Sequence, residues 1–219
     1  MSPSPASPAS PMPGRRGAHF RVLVVCTGNL HRSPLAERLL TARLAASPET
    51  SGSFRVSSAG TAAMAGTPMD PAAATLLVEL GGDPCGALAR RLTAALVEDA
   101  DLVLGAATEH REAAVRLSPL WALQRAFTLR EFGRLLRPED SAGATDPAER
   151  AAALVRGAAA RRGTDGNGAD DDDVADPYGA PMRVARETAA RIAEPVERIA
   201  AAVLGLPLDG EHLTLGSRA

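Results

Sequence analysis

The sequence predicts an α/β protein: a single three-layer domain with a four-stranded parallel sheet flanked by helices. Three observations carry that reading. Short apolar segments of strand character alternate along the chain with segments that start and stop like capped helices. The first strand is continuous and apolar, as expected where a sheet is covered on both faces. That strand runs straight into a glycine-containing turn and a helix, at the carboxyl end where open parallel sheets bind ligands.

The elements follow in order. Phe20 to Val25 reads as the first strand, rich in β-branched residues. After the loop, Ser33 is placed to cap a helix with Pro34 at its first position, where a missing N–H costs nothing. That helix runs to about Leu44, and Phe54 to Ser58 forms a second strand. Asp70 caps the next helix, with Pro71 at its first position and Gly81-Gly82 as its stop. Asp101 to Ala106 is a third strand, and Thr108 caps a helix reaching Leu117. Ala126 to Leu129 is a weaker fourth strand, followed by "REFGRLL" as a helix. The strongest helical periodicity comes last, over Met182 to Leu204, with Pro195 expected to kink it. Residues 1–19 read as a disordered Pro/Ser tail, 20–204 as the domain, and 205–219 as a second tail. Within the domain, 138–175 changes composition and reads as a partly flexible insertion. Pro147 to Arg162 is its one candidate helix, and "GTDGNGADDDD" is loop-like.

Composition narrows the function classes. At 219 residues and 45% hydrophobic content the chain can bury one core, built mainly of Ala, Leu and Val because aromatics are only 3%. All 24 basic residues are arginine, yet the net charge is -2 and no basic block stands out, which predicts no grip on nucleic acid. No apolar run is long enough to span a bilayer. Two cysteines and an N-terminus without an apolar export segment predict a cytoplasmic protein with both thiols reduced.

The chemistry is concentrated in "VCTGNLHRSP". Gly28 allows a tight turn in which successive N–H groups, those of Thr27, Asn29, Leu30 and His31 among them, face one concavity. The following helix points its positive end at the same spot, and Arg32 adds a planar fork matched to two phosphate oxygens. A cysteine beneath such donors, Cys26, is expected to react as the thiolate. Ser33 can donate a hydrogen bond to that sulfur, and Asn29 tolerates a left-handed backbone. The assembly suits phosphoryl transfer through a phosphocysteine. No cofactor and no metal is called for: "TEHRE" offers one histidine beside an arginine and reads as a solvated helix face.

These residues resemble the low-molecular-weight protein tyrosine phosphatases of bacterial type, whose loop is C-x5-R-S after the first strand. "SSAGT" at Ser57, "PMDPAA" at Pro68, "ARRLT" at Ala89, "ADLVL" at Ala100, "TEHR" at Thr108 and "DPYG" at Asp176 follow in the order of that family. The resemblance implies hydrolysis of protein phosphotyrosine, with a phosphotyrosine-containing protein as substrate and a monomer or weak dimer as the working form. Four Asp-Pro pairs compete for the general acid. Asp70 and Asp146 look like helix caps and Asp83 like a turn residue, whereas "DPYGAP" is a loop leading into the last helix. The resemblance makes Asp176 the acid and Tyr178 a pocket wall.

Three positions depart from the family pattern. His31 replaces a second loop cysteine, leaving Cys26 without its usual disulfide partner and leaving only Cys85 elsewhere, in a turn, as a small semi-buried residue. The histidine is either a surface residue or an imidazolium adding charge to the cradle. Met64 stands where relatives place a pocket tryptophan, and Ala87 where they place a histidine supporting the loop asparagine. The acidic run Asp170 to Asp173 reads as solvated.

Three other readings fit the residues less well. A thioredoxin-coupled arsenate reductase needs two relay cysteines beyond Cys26, and only Cys85 is present. A non-catalytic phosphotyrosine-binding relative would lack the nucleophile or the acid, and neither is missing. A nucleotide-binding protein would need a G-x-G-x-x-G turn or a P-loop lysine, and the chain has no lysine.

Overall fold

The computed structural model describes residues 19–163 and 171–208. Four strands form one parallel sheet in the order β2-β1-β3-β4: β1 is Phe20–Cys26, β2 Phe54–Gly60, β3 Leu102–Gly105 and β4 Ala126–Thr128. The first strand is therefore internal and its side chains divide by the two-residue period. Phe20, Val22 and Val24 enter one apolar cluster with Leu35, Leu39 and Leu40 of α1 (Arg32–Ala45) and Ile192, Val196 and Ile199 of α8 (Met182–Leu204). Leu23 and Val25 enter the other, with Val97 of α3 (Ala94–Asp99), Ala114 of α4 (Thr108–Leu117) and Ala122 of α5 (Pro119–Ala122). Burial on both faces accounts for the uninterrupted apolar run.

Helix starts follow local chemistry, with two corrections. Asp70 caps α2 (Pro71–Glu79) by accepting from the Ala72 and Ala73 N–H groups, as the Asp-Pro pair predicts. Thr128 and Glu131 form a capping box at the start of α6 (Leu129–Leu135). The cap of α1 is His31 rather than Ser33, and its side chain makes no capping bond; Ser33 lies inside the helix with its hydroxyl turned toward Cys26. Ala107 rather than Thr108 caps α4, and the Thr108 N–H is met by Asp173 Oδ1 at 2.7 Å, from a distant segment. The short α3, with Thr93 as its cap, has no predicted counterpart; six residues are too few to establish a period.

Within the segment 138–175, residues 138–163 are among those described and pack against the rest of the domain. A 3-10 turn over Pro138–Ser141 leads to α7 (Pro147–Arg161), capped by Asp146. Leu154, Val155 and Ala158 of α7 join the same cluster as α1 and α8. At its end Arg162 lies over the Phe127 ring at 3.9 Å and donates to the Leu123 and Ala126 carbonyls. The Ala-rich sequence hides this because small side chains let α7 approach closely, and one leucine and one valine suffice to anchor it. Leu154→Ala is thus expected to destabilise the whole domain by about 2–5 kcal/mol, read from the midpoint of urea unfolding. A detachable insertion would leave that midpoint unchanged.

Helix α8 continues through Pro195 without a break. Gly133 on α6 faces the proline, and a Cβ there would sit 3.0 Å from Pro195 Cβ, so glycine lets the two helices meet at this point. The tails fall mainly outside the described residues: of 1–19 only His19 is described, and of 205–219 only 205–208. Asp170 and the loop that precedes it also lie outside them.

Candidate active site

The end of β1 and the start of α1 enclose a pocket lined by Cys26, Thr27, Gly28, Leu30, His31, Arg32, Asp176 and Tyr178. All are candidates that the sequence nominates. Gly60, at the end of β2, lets the loop come this close to the sheet: a Cβ there would lie 2.5 Å from the Thr27 carbonyl oxygen and 2.9 Å from the Asn29 nitrogen.

Cys26 is buried, and its sulfur lies 2.9 Å from Ser33 Oγ and 3.3 Å from the Asn29 nitrogen, whose N–H donates to it. Asn29 carries the left-handed backbone of the loop, with φ 56°. Gly28 does not share it; it lines the pocket, where a Cβ would lie in ordinary contact with the Leu30 side chain, 3.5 Å away. The asparagine side chain holds the loop on three sides. Its Nδ2 donates to Ser33 Oγ at 2.9 Å and Ser58 Oγ at 2.7 Å, and its Oδ1 accepts from the Arg90 N–H at 2.9 Å. Because Ser33 Oγ accepts from Asn29, its own hydrogen is left for the Cys26 sulfur. Rigidity that the missing histidine at Ala87 put in question is supplied by Ser58 and the Arg90 backbone.

Arg32 is only 4% exposed, and both terminal nitrogens are directed. Nη1 donates to the Val174 carbonyl at 3.0 Å, while Nη2 reaches Thr27 Oγ1 at 3.2 Å and Asp176 Oδ2 at 2.5 Å. Asp176 also accepts from the Tyr178 N–H, which shapes the "DPYG" turn. Tyr178 lines the pocket mouth and is largely exposed. Of the four Asp-Pro pairs, Asp70, Asp83 and Asp146 are occupied as caps or turn acceptors, and only Asp176 faces the cysteine pocket.

Five expectations are corrected here. Met64 is 78% exposed and is not among the residues lining the pocket, since its loop turns outward after β2. Cys85 is exposed rather than semi-buried. The acidic run is not simply solvated: Asp172 is buried against Arg134, Asp171 meets Arg130 and Arg191, and Asp173 holds the start of α4. These three carboxylates fasten the stretch of chain that carries Asp176 to α4, α6 and α8. Charge runs read as solvated because their partners lie far away in sequence.

His31 is the fourth correction. It is buried, with Nδ1 3.5 Å from Asp70 Oδ1, and burial holds its pKa below the ordinary 6.5 despite the nearby Asp70 and Asp176 carboxylates. It is neither a surface residue nor an imidazolium at neutral pH. His110, read from sequence as a solvated residue, is also buried, and its Nε2 lies 3.0 Å from Thr27 Oγ1. Its pKa is likewise lowered by burial, and further by the Arg32 charge. The cue available in the sequence was its place on the helix that leaves the carboxyl end of β3.

Two buried neutral imidazoles make a signed prediction. An unfolded chain takes up protons as pH falls through 6.5, and the folded chain does so only at lower pH. Their contribution to stability is therefore complete above that value and is lost as pH falls toward the folded-state values. The urea midpoint is expected to drop between about pH 7 and 5, and His31→Gln should flatten part of that slope.

Comparison with known proteins agrees with this geometry. The family described as low molecular weight phosphotyrosine protein phosphatase matches residues 21–156. The low molecular weight protein-tyrosine-phosphatase Etp of Escherichia coli is 37% identical over 98 residues, 45% of this chain and 62% of that protein. The matched stretch thus spans less than two thirds of that relative. Among solved structures, the low molecular weight protein tyrosine phosphatase of T. tengcongensis is 30% identical with a TM-score of 0.58, covering 82% of this chain and 96% of that one. The YwlE arginine phosphatase of Geobacillus stearothermophilus is 28% identical with a TM-score of 0.58, covering 83% and 90%. With the family match extending over more than half of its length and the same sheet and loop in place, the chain belongs to the low molecular weight phosphotyrosine protein phosphatase family.

Proposed function

We propose that this protein hydrolyses phosphomonoesters, dephosphorylating protein phosphotyrosine through a phosphocysteine intermediate. The observation that carries the reading is the convergence of Cys26, Arg32 and Asp176 on one pocket, with the arginine and the aspartate 144 residues apart. The phosphoryl group takes the Arg32 fork and the loop N–H groups of Gly28, Leu30, His31 and Arg32, displacing Asp176 from Nη2. The Cys26 thiolate attacks phosphorus in line; the S–P bond forms as the P–O bond to the phenol breaks. Asp176 gives its proton to the departing oxygen. Water then yields a proton to Asp176 and attacks phosphorus, the S–P bond breaks, and Ser33 donates to the leaving sulfur. The residues present neutralise the phosphoryl charge, supply the nucleophile and supply the acid, so no cofactor is required.

The substrate side is aromatic by complementarity: Leu30 and Tyr178 offer apolar surface at the pocket wall and mouth. A phosphorylated guanidinium, by contrast, brings N–H donors that need several acceptors, and Asp176 is the one carboxylate lining the pocket among the described residues. No helix among the described residues is long and apolar enough to cross a membrane, and the reading places the enzyme in the cytoplasm as a monomer or weak dimer, without nucleic acid. The test is hydrolysis of p-nitrophenyl phosphate, a phosphotyrosine peptide and a phosphoarginine peptide. Turnover of the first two, competitive inhibition by orthovanadate and phosphate, and indifference to EDTA are expected. An inert protein across roughly pH 5 to 8 overturns the reading.

A further inference from the structure

We propose that His110 is a positioning residue of this site: it donates from Nε2 to Thr27 Oγ1, which frees the threonine's own hydrogen for a phosphoryl oxygen and presses Thr27 against Arg32. The inference rests on the phosphatase reading and adds a residue to it.

The argument is a count of hydrogens. A hydroxyl has one hydrogen and can accept twice. Thr27 Oγ1 has two protein neighbours, Arg32 Nη2 at 3.2 Å and His110 Nε2 at 3.0 Å. A guanidinium only donates, so the oxygen accepts from Arg32. Where the threonine's hydrogen goes then depends on which ring nitrogen of His110 carries a proton. Glu109 Oε1 lies 3.4 Å from the same Nε2. A lone pair on Nε2 would face a carboxylate that can only accept, whereas a hydrogen there bonds Thr27 Oγ1 and is attracted by the nearby carboxylate. The other nitrogen, Nδ1, is buried with no hydrogen-bond partner among the described residues. A buried N–H without an acceptor is the rarer and costlier arrangement, so the proton belongs on Nε2. Thr27 Oγ1 consequently accepts twice, and its hydrogen is left unclaimed by protein. Thr27 lines the pocket, so that hydrogen is available where phosphoryl oxygens bind. His110 itself is 1% exposed and reaches no substrate; its effect passes through Thr27.

The test measures kcat and KM for p-nitrophenyl phosphate, together with inhibition by inorganic phosphate. The variants are Thr27→Val, His110→Leu, their combination, Thr27→Ser and His110→Gln. Loss of one preorganised donor predicts a fall of about tenfold to a hundredfold in kcat/KM for either Thr27→Val or His110→Leu. The combined variant should be no worse than Thr27→Val alone, because both substitutions act through one group: valine lacks the hydroxyl, and leucine leaves that hydroxyl without the bond that orients it. Glutamine keeps an N–H donor near the Nε2 position and serine keeps the hydroxyl, so each should recover most of its loss. Multiplied losses in the combination, or a His110→Gln as impaired as His110→Leu, overturn the proposal and assign the histidine to packing alone. Thr27 carries the test independently if His110→Leu fails to fold: an unimpaired Thr27→Val also overturns it. An active wild type with these adverse outcomes removes only this inference, whereas an inert wild type removes the phosphatase reading as well.

Discussion

Cys26→Ser is expected to abolish turnover of p-nitrophenyl phosphate, lowering kcat by about 10⁴-fold or more. The substitution exchanges one atom at a buried position whose neighbours, Ser33 Oγ and the Asn29 N–H, bond oxygen as readily as sulfur. The loop therefore keeps its shape, and Arg32 keeps its partners in Val174, Thr27 and Asp176. What changes is reactivity. A hydroxyl is far harder to ionise than a thiol and is the weaker nucleophile at neutral pH. It is also the poorer leaving group, so a phosphoryl group captured there would resist hydrolysis. Inorganic phosphate, held by Arg32 and the backbone, should bind the variant within a few-fold of the wild type. Isothermal titration with phosphate and steady-state kinetics on the same preparation check both halves. Retained turnover would mean that sulfur is not the nucleophile.

The part of the molecule legible from sequence is the part built from neighbours in sequence. The phosphate loop is one consecutive stretch, Cys26 to Ser33, between a strand and a helix, and its chemistry can be read in place. The caps Asp70 and Asp146 announce themselves by the proline that follows. What escaped was set by contacts across the chain. Whether His110 faces water or Thr27 is decided by a bond over 83 positions, and Asp172 finds Arg134 over 38. Helix α7 contributes to the core because α1 and α8 present a matching surface, which its own alanines do not advertise. His31 is buried beside Asp70 at the start of α2, and the neighbouring Leu30 carbonyl ties the two segments by accepting from the Asp70 N–H.

Asp176→Ala should separate two quantities that usually fall together: kcat drops, while inorganic phosphate binds more tightly. As the proton donor, Asp176 contributes about 10²–10⁴-fold to expulsion of the leaving group. The loss should be largest for phenyl phosphate, whose phenolate needs a proton, and smaller for p-nitrophenyl phosphate, whose anion departs more readily. Binding moves the other way because the carboxylate competes for Arg32. Asp176 Oδ2 lies 2.5 Å from Nη2, on the fork that a phosphoryl group must occupy. Removing it leaves Nη1 held by Val174 and Nη2 by Thr27, with a donor direction open to phosphate and one fewer negative charge at the pocket. The Asp171, Asp172 and Asp173 contacts that fasten this segment are untouched, so the loop should stay in place. Asp176→Asn refines the comparison, since the amide removes the charge and the acidic proton but keeps the side chain's size. It should match the alanine variant in kcat and lie between it and the wild type in phosphate affinity. If phosphate binding weakens in both variants, Asp176 supports the anion site instead of competing for it, and the displacement step of the mechanism falls.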